Sequence, residues 1–290
     1  MTATSPPIIH NANSLLKNYD VLFCDIWGVV HNGVNAYKEG CAALAKFRQR
    51  GGTVILLSNA PRTAQIVRLI LDQRFVPDDV ADAIVPSGDL ARHYARTQGY
   101  QRVHHIGPDR DLDVFDGSGL QRVSLVEAEA VFCTGLQRDR VETGENYRER
   151  LRPAVERCLT LICANPDLVV DVGGTLLPCA GAIAKVYEDL GGHVFWAGKP
   201  YITAYDHALK VAVEVRGETV DKSRVLAIGD AVRTDIAGAT SFGIDSLFIG
   251  QGIHRERVMP DGELLADALA DLFAGEDQPQ ANAAMSTLRW

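Results

Sequence analysis

The sequence has no long apolar run and no excess of basic residues. None of its apolar stretches approaches the roughly 20 residues that are needed to span a bilayer. The formal net charge is −8, so the chain lacks the basic surface that nucleic-acid-binding proteins need. Residues 1–9 lack the basic region and apolar segment of an export signal. We therefore expect a cytoplasmic protein that binds neither nucleic acid nor a membrane.

Paired cysteines and two common glycine motifs are also missing. The six cysteines form no C-x-x-C pair, which argues against zinc and favours reduced, buried thiols. Cys24 lies beside an acid and could be a reactive thiol, but its strand context favours a core position. Segment 192–200 resembles a phosphate loop, yet its glycine spacing is wrong and Pro200 replaces the required Ser or Thr. No G-x-G-x-x-G follows a strand, so a dinucleotide site has no support.

Strand-like and helix-like segments alternate along the 290 residues, which predicts a parallel sheet covered by helices. The stretch 87–193 has strand-like and helix-like pieces of its own and is long enough for a second domain. We therefore predict a discontinuous core, 1–86 plus 194–290, that carries 87–193 as an insertion. We expect the tail from Glu276 to Ser286 to be mobile, although the terminal Leu288-Arg289-Trp290 could dock on a surface. The predicted core strands are short and apolar, and they cover 21–25, 53–58, 194–197, 225–229 and 246–249.

Polar side chains stand at the carboxyl ends of four predicted strands, where open α/β sheets bind their ligands. In chain order they are Asp25, the pair Ser58 and Asn59, Lys199, and the pair Asp230 and Asp235. Each has an ordinary alternative when taken alone, such as a helix cap, a solvated lysine or an acid in a turn. Their occurrence in this order, each at a strand end, favours one shared chemical task.

Hydrolysis of a phosphate ester needs this combination of groups, namely a nucleophile, a divalent cation and donors for the phosphoryl oxygens. Asp25 can be the nucleophile and form an aspartyl-phosphate. Asp230, and Asp235 directly or through water, can hold Mg²⁺ together with Asp25, since Mg²⁺ prefers oxygen ligands. The hydroxyl or amide of 58–59 can donate to a phosphoryl oxygen. Lys199 can neutralise the crowded carboxylates and the phosphate.

These motifs in this order resemble the haloacid dehalogenase superfamily, in particular its class IIA-capped phosphatases of the NagD-like and pyridoxal-phosphate-phosphatase-like branch. The resemblance covers nearly the whole chain and implies a Rossmann-like parallel-sheet core with an inserted α/β class II cap. The insertion falls between the second and third motifs, where class II caps lie. The matching segments are the Asp25 loop, Ser58-Asn59, Gly198-Lys199-Pro200 and Gly229 to Ala239.

Within the insertion, Ala164-Asn165-Pro166-Asp167 followed by Gly173-Gly174 looks like a signature of this branch. The resemblance implies that the segment from Asn165 to Gly174 faces the substrate. It places substrate-binding roles on Asn59, Ala60, Arg62, Asn165 and Asp167, although Arg62 could equally form a surface salt bridge. This branch often pairs through its caps, so a homodimer is possible.

One position departs from the family pattern. Most phosphatases of this superfamily carry a second Asp two residues after the nucleophile, as general acid and base, but Trp27 occupies that position here. Its backbone carbonyl can still bind Mg²⁺, whereas an indole cannot perform the proton transfer. Loss of a general acid typically slows a reaction by about 10²–10⁴. The sub-branch with Asp-x-Trp-Gly-Val looks particularly similar to this chain.

Several functional alternatives follow from Trp27. The protein could be a phosphatase for esters with good leaving groups, or His31 could transfer the proton, unless His31 is a loop residue bonded to backbone. It could also be a sensor that binds a phosphorylated metabolite without turning it over. Dehalogenases lack the second Asp too, but they need no Mg²⁺, and the pair of Asp230 and Asp235 argues against that reading. We predict a Mg²⁺-dependent phosphatase of a small phosphorylated metabolite, with the substrate open among sugar phosphates, nucleotides and pyridoxal phosphate.

Overall fold

Strands and helices alternate through residues 5–172, 175–275 and 278–290, which are the residues that the computed structural model describes. The strands are β1 (Val21–Cys24), β2 (Thr53–Ser58), β3 (Ala83–Pro86), β4 (Arg102–Ile106), β5 (Gln121–Arg122), β6 (Ala130–Cys133), β7 (Thr160–Cys163), β8 (Val169–Val172), β9 (Thr175–Pro178), β10 (His193–Trp196), β11 (Val225–Gly229), β12 (Asp245–Ile249) and β13 (Ala283–Met285). The α-helices are α1 (Asn13–Leu16), α2 (Lys38–Gln49), α3 (Ala64–Asp72), α4 (Ser87–Thr97), α5 (Arg148–Glu156), α6 (Ala180–Asp189), α7 (Ile202–Arg216), α8 (Ala237–Phe242), α9 (Arg255–Val258) and α10 (Ala266–Leu272). No described helix has the length and apolar character that a membrane crossing requires.

The chain forms two compact units. The first contains the N-terminal segment up to Ser58, Arg68–Val85 and Lys199–Trp290. The second contains Asn59–Val67 and Pro86–Gly198. Each unit is built around its own sheet, because the strands of the two units pair separately.

The sheet of the first unit has the strand order β13-β12-β11-β1-β2-β3. β1 lies between β11 and β2 and is parallel to both, with Cys24 opposite Ile228 on one side and Leu56 on the other. All four residues of β1 are buried, which explains its continuous apolar run, since strands covered on both faces show no alternation. The register brings the carboxyl ends of β1 and β11 to the same edge of the sheet.

The C-terminal segment is ordered into this sheet rather than mobile as predicted. Glu276 and the residue after it lie outside the described residues, but Ala283–Met285 form the edge strand β13, parallel to β12. Three buried apolar residues and a parallel bridge between Ile8 and Ala284 hold this edge. The prediction was wrong because it relied on the polar composition of the whole segment, which does not reveal an apolar strand of only three residues.

The last residues of the chain dock on α2. The Lys46 Nζ and the Arg50 Cζ each lie 5.1 Å from the centroid of the Trp290 ring, within the range of cation–π attraction. Leu288 is fully buried. The C-terminus is therefore part of the packing of the first unit.

The second unit contains a five-stranded parallel sheet with the order β10-β7-β6-β4-β5. The strand predicted in the core at 194–197 is β10, which instead pairs with β7, with Trp196 opposite Cys163. A short apolar run fits either sheet, and the crossover through α6 places it here. β8 and β9 form an antiparallel pair, and the intervening Gly173 and Gly174 lie outside the described residues.

Candidate active site

Three carboxylates converge in the first unit. Asp25 follows β1, Asp230 follows β11, and Asp235 lies in a turn of π-helix, Val232–Ile236, that leads into α8. Oxygens from the three groups all lie within 4.8 Å of one another, and all three residues are buried. A hard divalent cation prefers such a set of oxygen ligands, so these residues fit Mg²⁺.

Glycines make room for this cluster. A Cβ at Gly229 would overlap the carboxylate of Asp235, and a Cβ at Gly28 or Gly252 would overlap the carboxylate of Asp230. Gly28 also has φ +80°, in the left-handed region that favours glycine. The approach of the acids thus depends on three positions without side chains, of which Gly252 follows β12 and was not predicted.

Lys199 provides the positive charge among the acids. Its Nζ donates hydrogen bonds of 2.5 Å to Oδ1 of Asp25 and 2.6 Å to Oδ1 of Asp235. Burial alone would lower the pKa of the ammonium, but the two carboxylates, Asp235 first, raise the Lys199 pKa well above its usual range. The side chain therefore stays charged, and its ammonium holds the carboxylates of Asp25 and Asp235 close together.

The acids respond to burial in the opposite sense. Burial raises the pKa of Asp25 to about 7, although the Lys199 charge acts against this rise. Burial also raises the pKa of Asp230 well above its usual range, and the neighbouring charge of Asp25 adds to the shift. Without further positive charge the cluster thus favours protonation, and a bound cation would relieve the repulsion.

Two backbone amides and one side-chain hydroxyl, which the sequence did not indicate, also donate hydrogen bonds to the cluster. The amide of Ile253 donates to Oδ2 of Asp230 at 2.6 Å, and the amide of Ala231 donates to Oδ2 of Asp235 at 3.1 Å. The hydroxyl of Tyr205, on α7, donates to the backbone oxygen of Asp235 at 3.0 Å. The only sequence signal for the Ile253 contact is the glycine-flanked segment 250–252, which precedes it.

The loop after β1 places Trp27 and His31 against each other. The indole and imidazole centroids are 5.2 Å apart in an edge arrangement, and the indole covers Gly33. The amide of Gly33 donates to Nδ1 of His31 at 2.8 Å. Burial lowers the pKa of His31 to about 4, so the ring is neutral at pH 7 and carries its proton on Nε2. These contacts favour the loop alternative for His31 over the proton-transfer alternative.

The two residues of the second motif, Ser58 and Asn59, belong to different units. Ser58 is the last residue of β2, in the first unit. In the second unit, Nδ2 of Asn59 donates to Oδ1 of Asp167 at 2.9 Å, and the oxygen of Ala60 accepts from the Gly88 amide at 3.1 Å. Asn165 lies beside Asp167, whose amide donates to its Oδ1 at 3.0 Å.

Arg62 is paired within the second unit. Its guanidinium lies 3.2 Å from Oδ1 of Asp111 and 2.5 Å from Oδ2 of Asp113. Burial raises the pKa of Asp111 to about 6, and the Arg62 charge opposes this rise. Two carboxylates around one guanidinium favour the salt-bridge alternative for Arg62 over contact with a substrate anion.

Comparison with known families is consistent with this geometry. A family model described as haloacid dehalogenase-like hydrolase matches residues 22–121, and one described as HAD-hydrolase-like matches residues 196–274. A crystal structure of a haloacid dehalogenase-like hydrolase from Brucella suis 1330 is 40% identical and covers 97% of this chain and 100% of its own, with a TM-score of 0.84. The 4-nitrophenylphosphatase of Thermotoga maritima shares the fold at 22% identity and a TM-score of 0.71, over 94% of this chain and 96% of its own.

Two further relatives have names that refer to different substrates. The 5'-nucleotidase YutF of Bacillus subtilis is 24% identical over 248 residues, which is 85% of this chain and 93% of that protein. An acid sugar phosphatase of Staphylococcus aureus is 26% identical over 247 residues, which is 82% of this chain and 89% of that protein. The names differ in substrate and agree on the removal of phosphate from small molecules.

Proposed function

Since this chain belongs to the haloacid dehalogenase-like hydrolases, we propose that it is a Mg²⁺-dependent phosphatase of small phosphorylated metabolites. The observation that carries the proposal is the Lys199 ammonium, which bridges Asp25 and Asp235 beside Asp230 in a buried cluster. Burying three acids around one lysine is costly for folding, because desolvation offsets the attraction of such pairs. Such a cluster of perturbed groups is typical of an active site.

Asp25 is the nucleophile in this proposal. A carboxylate oxygen attacks phosphorus while the bond to the leaving oxygen breaks, which yields an aspartyl-phosphate and an alkoxide or phenoxide anion that then takes a proton from water. Water then attacks the phosphorus of this intermediate, releases inorganic phosphate and restores the carboxylate. Lys199 holds the carboxylate in position and balances the phosphate charge.

The residues Asp25, Asp230 and Asp235, together with the carbonyl of Trp27, would hold Mg²⁺. When bound, the cation supplies charge stabilisation for the phosphoryl oxygens and offsets the repulsion among the acids. Ser58 and Asn59 would donate to the phosphoryl oxygens. We further propose that the second unit is the class II cap, which excludes water during the reaction.

Trp27 limits which phosphate esters the enzyme can hydrolyse quickly. Because an indole cannot protonate the departing oxygen, the proposal favours esters whose leaving group departs as a stable anion. The names of the relatives, a 5'-nucleotidase and an acid sugar phosphatase, are consistent with a small phosphomonoester and do not narrow the class further.

Hydrolysis of 4-nitrophenyl phosphate, followed by a panel of about a hundred phosphorylated metabolites, tests the proposal. We expect turnover with Mg²⁺, none with EDTA, and none in Asp25→Asn. Asp20→Asn is the matched control, because Asp20 pairs with Arg224 at the opposite end of β1, half-exposed. Full activity in Asp25→Asn would exclude the nucleophile assignment. Tight binding of a phosphorylated ligand without turnover would identify a sensor, and chloride release from haloacids without Mg²⁺ would identify a dehalogenase.

A further inference from the structure

We propose that Asp167 is a positioning residue that orients the Asn59 amide for the phosphoryl group, rather than a residue that contacts the substrate. The inference rests on the proposed function, in which Asn59 is a donor to a phosphoryl oxygen. It assigns Asp167 to the phosphoryl half of the reaction and not to recognition of the leaving group.

The Asn59 amide is held at both ends. Its Nδ2 donates to Oδ1 of Asp167 at 2.9 Å, and its Oδ1 accepts from the hydroxyl of Ser87 at 3.4 Å. Because a carboxylate only accepts, the bond to Asp167 also decides which end of the amide carries the nitrogen. One N–H of Nδ2 is used in this bond, and the planar amide then sets the direction of the second N–H.

Asp167 is itself held by its own loop. Its backbone amide donates to Oδ1 of Asn165 at 3.0 Å, which closes a tight turn. The carbonyl oxygens of Pro166 and Asp167 lie against Gly181 at the start of α6, where a Cβ would overlap both of them. The carboxylate that orients Asn59 thus stands on a turn packed against a helix, which is the support that a precise donor requires.

The same cluster includes the residue that precedes Lys199. A Cβ at Gly198 would overlap the hydroxyl of Ser87 and Oδ1 of Asn59, and it would lie 2.9 Å from Cδ of Pro166. Gly198 has φ +146°, in the region that favours glycine. One packed group is therefore formed by Asn59, Ser87, the 165–167 turn and Gly198. In sequence, Asn59 directly follows Ser58, and Gly198 directly precedes Lys199.

Two roles for Asp167 make different predictions. If it contacts the leaving group, its loss should affect some substrates and leave ligands without a leaving group unaffected. If it positions Asn59, its loss should weaken every interaction with the phosphoryl group, including that of orthovanadate, which has no leaving group. Its effect should also vanish once Asn59 is removed, because the two residues act as one unit.

The experiment compares Asp167→Ala, Asp167→Asn, Asn59→Ala and the double variant Asn59→Ala/Asp167→Ala with 4-nitrophenyl phosphate. We expect Asp167→Ala to lower kcat about 10-fold or more, because removing one preorganised donor typically costs 10²–10³ and a misdirected donor retains part of its effect. We expect a matching rise in the inhibition constant of orthovanadate. Asp167→Asn keeps an acceptor oxygen and should recover most of the loss. Asp116→Ala, an exposed acid of the same unit, is the control.

The double variant should be as slow as Asn59→Ala alone. Additive losses, or an unchanged orthovanadate constant beside a substrate-specific rise in KM, would overturn the positioning role. Thermal unfolding separates these outcomes from misfolding, and Asp167→Asn provides a variant of the same shape. If the wild type hydrolyses no phosphate ester, the proposed function fails, while orthovanadate binding by calorimetry to the same variants still decides the role of Asp167.

Discussion

The Nζ of Lys199 donates a hydrogen bond of 2.5 Å to Oδ1 of Asp25, although 174 positions separate the two residues in the chain. Both side chains are buried, with 3% of Lys199 and 8% of Asp25 exposed. A buried ion pair is weak evidence for stability, because the loss of hydration offsets its attraction. Its presence beside two further acids is better explained by the phosphoryl transfer that we propose.

Removal of the ammonium should leave the buried acids uncompensated. We expect Lys199→Met to abolish turnover and to lower the free energy of unfolding by about 3–5 kcal/mol in EDTA. Mg²⁺ should stabilise this variant more than the wild type, since the cation can take over part of the lost charge. Urea denaturation with and without Mg²⁺ measures both effects. Lys222→Met, whose ammonium lies over the Phe242 ring, should cost about 1 kcal/mol or less and show no extra response to Mg²⁺.

The stability of the metal-free protein should depend on the ionisation of Asp25. Its pKa is about 7 when folded, well above the usual value near 4, so the folded chain binds more protons than the unfolded chain between about pH 4 and pH 7. The contribution of Asp25 to stability therefore falls as the pH rises through this window. In EDTA, the free energy of unfolding of Asp25→Asn minus that of the wild type should therefore increase from pH 5 to pH 8. Mg²⁺ should make this increase smaller. Parallel pH curves would contradict this prediction.

Gly229→Ala should damage the metal site specifically. The added Cβ would overlap the carboxylate of Asp235, which must then move away from Lys199. We expect the Mg²⁺ concentration for half-maximal activity to rise about 10-fold or more, since the loss of contacts that orient a metal ligand typically lowers metal affinity about 10–100-fold. Gly135→Ala is the matched control, because its nearest neighbour would be 3.6 Å from the new Cβ. An equal response of the two variants would show that glycine loss itself, and not the carboxylate, is responsible.

Phe75→Gly should stabilise the protein. Phe75 closes the end of α3 with φ +59°, where its amide donates to the oxygen of Asp72 and the Val76 amide donates to that of Leu71. Glycine is the usual residue at this helix-ending position, and the left-handed conformation costs other residues about 1–2 kcal/mol. Phe75 is 88% exposed, so little packing offsets that cost. We expect a gain of about 1 kcal/mol in urea denaturation for Gly and almost none for Ala, which keeps the Cβ.

Trp27→Asp should raise the turnover of alkyl phosphates relative to 4-nitrophenyl phosphate, because it supplies the missing general acid. In the wild type, log kcat/KM should fall steeply with the pKa of the leaving group. His31→Ala should leave that slope unchanged, since Nδ1 of His31 is bonded to the Gly33 amide and the ring is neutral at pH 7. A flat wild-type slope that becomes steep in His31→Ala would assign the proton transfer to His31 instead.

Sequence patterns predicted the central strands of the first sheet better than the strands β10 and β13. The apolar runs at 21–25, 53–58 and 225–229 are strands of one parallel sheet, and the α/β fold with a second sheet is confirmed. The run at 194–197 was predicted in the core sheet and 283–285 in a mobile tail, and both predictions were wrong, since strands this short carry no information about their partners. In the folded chain, β10 pairs with β7 in the second sheet, and β13 pairs with β12 at the edge of the first sheet.

For the site, the residue types and their order along the chain were enough to predict Asp25, Lys199, Asp230 and Asp235 as one set. Asp25 and Asp230 follow neighbouring parallel strands whose ends meet at one edge of the sheet, so their proximity follows from the order of strands. Lys199 follows β10, which belongs to the other sheet, so this rule does not account for its contact with Asp25. The pairing of Asn59 with Asp167 and of Arg62 with Asp111 and Asp113 is different, because it depends on which loops of the second unit pack together. Such contacts between side chains far apart in sequence leave no local pattern, and they exist only once the chain has folded.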